Sequence, residues 1–156
     1  GLNVINGYRP TENTTFSTTF PVDKSYSQSV PIGKPICNST VFILDSRFRP
    51  VPVGVAGELF VGGDGLARGY LNNPEMTREK FIRRSAPMHT LYATGDLARW
   101  LPDGNVEFLG RMDQQVKIRG FRVEPGEIEN RLSRVPGVKE SLKLIRQTRD
   151  GSKGKP

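Results

Sequence analysis

Cysteine is nearly absent. Cys37 stands alone in 156 residues, which excludes an internal disulfide framework and any metal site built from several thiolates. Histidine is equally scarce: with His89 the single one, a His-rich metal site is excluded. A Ser–His–Asp or Cys–His arrangement would rest on one residue in the polar stretch Met88-His89-Thr90, which reads as an ordinary loop. Apolar runs are only a few residues long, so no transmembrane span and no membrane partner is expected. The first residues are neither basic nor followed by the apolar core of a signal segment. A cytoplasmic setting is the expectation that follows. Acidic residues are in deficit as well, 16 Asp and Glu against 23 Lys and Arg, which favours anionic partners such as nucleotides or acidic protein faces. Nucleic acid is not expected. The basic residues are dispersed apart from Arg83-Arg84 and a C-terminal tail, with no clustered basic helix face and no interleaved aromatics.

What is present is strand-and-turn text organised around residues 94–122. A strand ends in Thr94-Gly95-Asp96-Leu97, turns at Pro102-Asp103-Gly104, and returns through 106–109 to Gly110-Arg111. If the turn pairs Leu101 with Asn105, antiparallel counting puts Asp96 opposite Gly110, so that Asp96 and Arg111 share the open end of the hairpin. A carboxylate that accepts from two hydroxyls, beside a guanidinium that donates, suits a nucleotide ribose. The same pair also reads as an ordinary ion pair across a hairpin.

Taken in order, residues 1–5 are a short apolar run with no Met before it, as in a piece cut from a longer chain. Residues 6–12 read as a loop punctuated by Gly7 and Pro10, with Tyr8 presented between them. Residues 40–44 and 58–61 are apolar strands flanking a proline-rich excursion at 45–54. Gly62-Gly63-Asp64-Gly65 reads as a hairpin turn, since no helix opening with Lys-Ser or Lys-Thr follows to make it a phosphate cradle. Asn73-Pro74 starts a short helix, with Asn as N-cap and Pro at its first position, and Phe81 and Ile82 are expected to supply its buried side. Beyond residue 113 the pattern becomes β–β–α–β: alternation at 115–119, helical spacing of Ile128, Leu132 and Val135, and strand again at 138–146. The expected fold is strand-rich α+β, a distorted β-barrel-like subdomain followed by the start of a small α+β C-terminal domain.

Four segments together resemble one family. Asn6-Gly7-Tyr8-Arg9-Pro10-Thr11-Glu12, then Gly57-Glu58-Leu59-Phe60-Val61-Gly62-Gly63-Asp64-Gly65-Leu66-Ala67-Arg68-Gly69-Tyr70-Leu71, then Leu91-Tyr92-Ala93-Thr94-Gly95-Asp96-Leu97, and finally Gly110-Arg111-Met112-Asp113-Gln114-Gln115-Val116-Lys117-Ile118-Arg119-Gly120 follow in order. The set resembles the adenylate-forming ligases and, within them, the adenylation domains of nonribosomal peptide synthetases, enzymes of antibiotic biosynthesis. The resemblance implies a parent that forms an aminoacyl adenylate from an amino acid and MgATP. The parent would then pass the aminoacyl group to the phosphopantetheine thiol of a carrier protein domain in the same assembly line.

It implies, residue by residue, Tyr8 and Asn6 for adenine, Thr11 for the α-phosphate, Asp96 and Arg111 for ribose, and Glu12 for Mg2+. Gly7, Thr15 and Phe16 would line the amino-acid pocket, although Phe16 also reads as a core residue of a β-branched strand. Asp113 would be the hinge. The domain division is then 1–110 for the C-terminal portion of the large adenylation core, 111–113 for the hinge, and 114–156 for the start of a mobile C-terminal domain. Arg9 departs from the glycine usual in the family, and would be strained if its backbone needed a positive φ. The family's phosphate-binding loop and catalytic lysine are not found in the sequence, so no catalytic residue is assigned and the chain alone is expected to lack adenylation activity. A piece of an acyl-CoA ligase and a non-catalytic basic interaction module are the alternatives.

Overall fold

In a computed structural model of the chain, the residues described are 2–23, 26, 29–84, 90–112, 116–118, 121–123, 131–132, 134–135 and 138. The chain divides into two compact units, Gly1–Asp113 and Gln114–Pro156. The first holds, in order, β1 (Val4–Tyr8), β2 (Thr18–Val22), β3 (Lys34–Pro35), β4 (Ser39–Leu44), β5 (Gly57–Gly63), α1 (Pro74–Lys80), β6 (Phe81–Arg83), β7 (Thr90–Trp100) and β8 (Val106–Arg111). It is strand-rich, with a curled half-barrel sheet and one short helix, as the turn-punctuated sequence predicts.

β7 is the spine of that sheet. Along one edge it pairs antiparallel with β5, from Gly57 opposite Ala98 to Gly62 opposite Leu91. Its other edge is divided: the first residues pair with β6 and the last with β8. β4 extends the sheet beyond β5, in register from Ser39–Gly63 to Leu44–Glu58. The smaller sheet β1-β2-β3 joins on beside Gly33, which exchanges backbone hydrogen bonds with Val106. Only glycine fits there. Gly33 has φ +85°, and a Cβ would lie 1.9 Å from the Thr19 carbonyl oxygen.

Apolar side chains fill both faces of the large sheet. Ile32, Val41, Ile43, Leu59, Ala98 and Val106 form one buried cluster, backed by Tyr8, Val51, Trp100 and Phe108. Leu44, Phe60 and Leu91 form the other, backed by Phe42, Phe48, Ile82 and Ala93. Burial on both faces is why Leu59-Phe60-Val61 reads as an unbroken apolar run.

Three local expectations are corrected. Residues 6–8 belong to strand β1, paired with Thr18, Thr19 and Phe20, so the loop begins at Arg9 rather than Asn6. The cluster Gly62-Gly63-Asp64-Gly65 closes β5 but does not turn back on it: Leu66 instead bridges to Asn13, and the Thr14 N–H donates to the Gly65 carbonyl at 2.7 Å. Helix α1 starts as predicted, with the Asn73 Oδ1 accepting from the Met76 N–H at 3.0 Å, yet it buries none of its own residues. Phe81 is buried as the first residue of β6, where it pairs with Tyr92.

In the second unit, β9 (Val116–Ile118) and β10 (Phe121–Val123) form the antiparallel pair that opens the expected β–β–α–β order, with Phe121 opposite Ile118. Most of the expected helix and last strand lies outside the described residues. Of those described, Arg131 and Leu132 are helical, but Arg134 lies in a turn, Val135 in a bend, and Val138 is not in a strand, contrary to the helical and strand positions expected of Val135 and Val138. His89 and Asp113 also lie outside them. No helix among the described residues is long and apolar enough to cross a membrane.

Candidate nucleotide site

The site is built on an irregularity in β7. Glu58 faces Leu97 and Phe60 faces Ala93, so Leu59 alone spans Thr94, Gly95 and Asp96. A second irregularity follows on the β8 side, where Leu97 faces Gly110 but Ala98 faces Phe108, leaving Leu109 over. That bulge corrects the expected register by one: Asp96 lies opposite Arg111, not Gly110. The turn itself is as expected, the Leu101 N–H donating to the Asn105 carbonyl at 2.8 Å.

Each residue of Thr94-Gly95-Asp96 answers a need of the bulge. Thr94, buried, donates its hydroxyl to the Leu59 carbonyl at 2.6 Å and accepts from the Asp96 N–H at 3.0 Å. Gly95 takes φ +70°, a left-handed conformation that disfavours side chains. Its N–H donates to Glu58 Oε1 at 3.1 Å and its carbonyl accepts from Met112 at 2.8 Å. Asp96, 6% exposed, is thereby fixed in direction. The Arg111 Nη1 donates to Asp96 Oδ1 at 2.8 Å, in an ion pair largely withdrawn from water.

The hydroxyl of Tyr8, at the end of β1, donates to Asp96 Oδ2. Burial, then the adjacent Asp96 carboxylate, push the Tyr8 phenol well above the usual tyrosine range, so it stays a donor. Tyr8, Asp96 and Arg111, widely spaced in the chain, thus form one hydrogen-bonded group.

The remaining predicted residues lie along β1 and its loop. Asn6 donates its amide to the Pro31 carbonyl at 2.7 Å, which ties β1 to the segment before Gly33. Gly7 lies against Phe16, whose ring would be 2.6 Å from a Cβ at that position. Phe16 is no core residue: it is 38% exposed, beside Gly7. Thr15, exposed, takes φ +62° in the turn leading to it. Arg9 is not among the described non-glycine residues with positive φ, so the condition under which it would be strained is not met. Thr11 sits exposed in the turn after β1.

Glu12 is buried, and its Oε1 accepts from the Tyr70 hydroxyl at 2.7 Å. Tyr70 is held by its own N–H to Thr77 Oγ1 at 2.9 Å and by an edge-on contact with Phe81. Tyr92 completes this group; burial, then Tyr70 and Glu12, push its phenol upward. Among the described residues no group of three or more His, Cys, Asp or Glu side chains could hold a metal ion by itself.

Glu58, Thr94 and Tyr70 are the supporting residues that sequence reasoning missed. Glu58 left one signal: a carboxylate heading the apolar strand Glu58-Leu59-Phe60-Val61. Tyr70 left none beyond its place in a glycine-rich segment.

The family model described as AMP-binding enzyme matches residues 1–71. Tyrocidine synthase 3 of Brevibacillus parabrevis is 57% identical over 153 residues, which is 97% of this chain and 2% of that protein. Gramicidin S synthase 2 of Brevibacillus brevis is 59% identical over 153 residues, 97% of this chain and 3% of that protein. Among solved structures, PA1221, an NRPS protein containing adenylation and PCP domains, superposes with TM-score 0.83 at 37% identity, covering 94% of this chain and 31% of that one. The chain thus spans a small part of the synthases and about a third of that solved protein. With the Tyr8–Asp96–Arg111 group formed from three of the four signature segments, the chain belongs to the AMP-binding enzymes, as part of an adenylation domain of the nonribosomal peptide synthetase (NRPS) kind.

Proposed function

We propose that this chain carries one wall of the nucleotide site of an amino-acid-activating enzyme, whose whole forms an aminoacyl adenylate and passes it to a carrier-protein thiol. The observation that carries this reading is the convergence of Tyr8, Asp96 and Arg111. A carboxylate offers about four acceptor positions. Asp96 can therefore accept from a ribose diol beside Tyr8 and Arg111, while Arg111 donates to the same sugar. The Tyr8 ring supplies an aromatic face for adenine, Asn6 stands two residues before it on β1, and Thr11 offers a hydroxyl to a phosphate oxygen. Gly7, Thr15 and Phe16 form the amino-acid side.

Glu12 fits a magnesium ion, which takes one or two carboxylates and fills its remaining positions with phosphate oxygens and water. Its carboxylate is oriented by Tyr70. When bound, the ion supplies neutralisation of phosphate charge. Transfer to a phosphopantetheine thiol is proposed from the pairing of adenylation and PCP domains in PA1221. Asp113, next to the division between the two units, is the proposed hinge for that change of partner. A cytoplasmic setting completes the reading.

Asp96→Ala in the full-length parent tests it. ATP affinity, read from KM in amino-acid-dependent pyrophosphate exchange, is expected to fall about tenfold or more, with the amino-acid KM nearly unchanged. Equal losses for both substrates would make Asp96 a residue of the fold alone.

A further inference from the structure

We infer that Glu58 is a positioning residue for the nucleotide site: its carboxylate holds the Gly95 N–H across the β5–β7 bulge and thereby aims Asp96. The inference rests on the ribose role proposed for Asp96 and adds to it the device that sets its direction. Because Leu59 alone faces Thr94, Gly95 and Asp96, the ladder cannot supply partners for every backbone group in the bulge. Side chains supply them instead. Glu58 Oε1 accepts from the Gly95 N–H at 3.1 Å, and Thr94 Oγ1 accepts from the Asp96 N–H at 3.0 Å. From the opposite edge, the Met112 N–H donates to the Gly95 carbonyl at 2.8 Å. The peptide ahead of Asp96 is thus clamped on both sides, with Gly95 held at φ +70°.

A carboxylate here is costly to the strand. Glu58 is half-buried, and burial pushes its carboxyl upward despite the Gly95 N–H and the neighbouring Lys80 and Arg111 charges; Asp96 acts in the same direction as burial. An apolar residue would extend the run Leu59-Phe60-Val61 at no such cost. What the carboxylate supplies is an acceptor at the end of a reach longer than Asp or Ser could span. The neutral amide of Gln supplies the same acceptor at the same length, so the acceptor and not the charge is the operative feature.

The test compares ATP with 2′,3′-dideoxy-ATP, which lacks the hydroxyls Asp96 would accept from. Binding to the full chain is followed by NMR titration, together with the hydrogen-exchange rate of the Gly95 amide. Wild type is expected to prefer ATP. In Glu58→Leu that preference should shrink about five- to tenfold and Gly95 exchange should quicken about tenfold, whereas Glu58→Gln should keep both near wild type. A preference unchanged in Glu58→Leu overturns the inference, as does a Glu58→Gln that loses it. Should Glu58→Leu fail to fold, Glu58→Gln decides alone by the same criterion. A wild type that binds both nucleotides equally overturns the ribose role of Asp96, and the inference falls with it; an altered preference in neither variant overturns the inference alone.

Discussion

At the scale of single residues, the proposed function and the stability of the fold meet in the same side chains. Tyr8 is the clearest case, since its phenol is held protonated by burial and by Asp96. A folded-state pKa raised above the usual value of about 10 makes its contribution fully present below that pH. Above it the unfolded chain loses the proton while the folded chain keeps it, so stability falls as pH rises. Tyr92, also raised, acts in the same sense. Urea midpoints measured from pH 8 to pH 11 should therefore drop at the alkaline end, and Tyr8→Phe should flatten the drop; an unchanged slope would show that the phenol is not held as described. Thr94→Val removes a buried hydroxyl that both donates to Leu59 and accepts from Asp96. It is expected to cost about 1–3 kcal/mol, read from the same denaturation curves.

Among the elements, two glycines at the connections between strands separate backbone strain from crowding. Gly33 and Gly54 have nearly the same φ, +85° and +83°, but a Cβ at Gly33 meets the Thr19 carbonyl while one at Gly54 meets nothing within 4 Å. Gly54→Ala should cost about 1 kcal/mol and Gly33→Ala about 2–4 kcal/mol; equal losses in urea would mean that the junction of the sheets gives way freely. The elements also show what the sequence makes legible. The cap at Asn73, the turn at Pro102-Asp103-Gly104 and the apolar strands were plain, because each depends on residues close together in the chain. The pairing of Asp96 with Arg111 was foreseen, but its register was off by one, since a bulge depends on which residue the opposing strand leaves over. The strand character of Asn6-Gly7-Tyr8 was hidden because its partner, β2, lies beyond a loop. Tyr70 and Glu58 were missed for the same reason. Their partners, Glu12 and Gly95, are distant in sequence, and a single chain carries no local mark of such contacts.

For the whole molecule, the division between Gly1–Asp113 and Gln114–Pro156 leads to a digestion experiment. If the proposed boundary is correct, limited trypsin treatment should leave a fragment that ends between Arg111 and Arg122, identified by mass. A persistent product running past Gly137 would remove the boundary. Within the first unit, the divided edge of β7 has a further consequence for a chain made from its N-terminus. β4 and β5 are complete as a local pair early, yet the β5 edge bearing Leu59-Phe60-Val61 waits for β7, and the Gly33–Val106 junction between the two sheets waits for β8. Throughout that interval a nascent chain displays an unpaired apolar strand of the kind that chaperones shield and that neighbouring chains capture. A ribosome stalled far enough past residue 63 to release β5, but not far enough past residue 100 to release β7, should therefore hold the nascent chain at its most aggregation-prone, and one stalled far enough past residue 111 to release β8 should hold it largely protected.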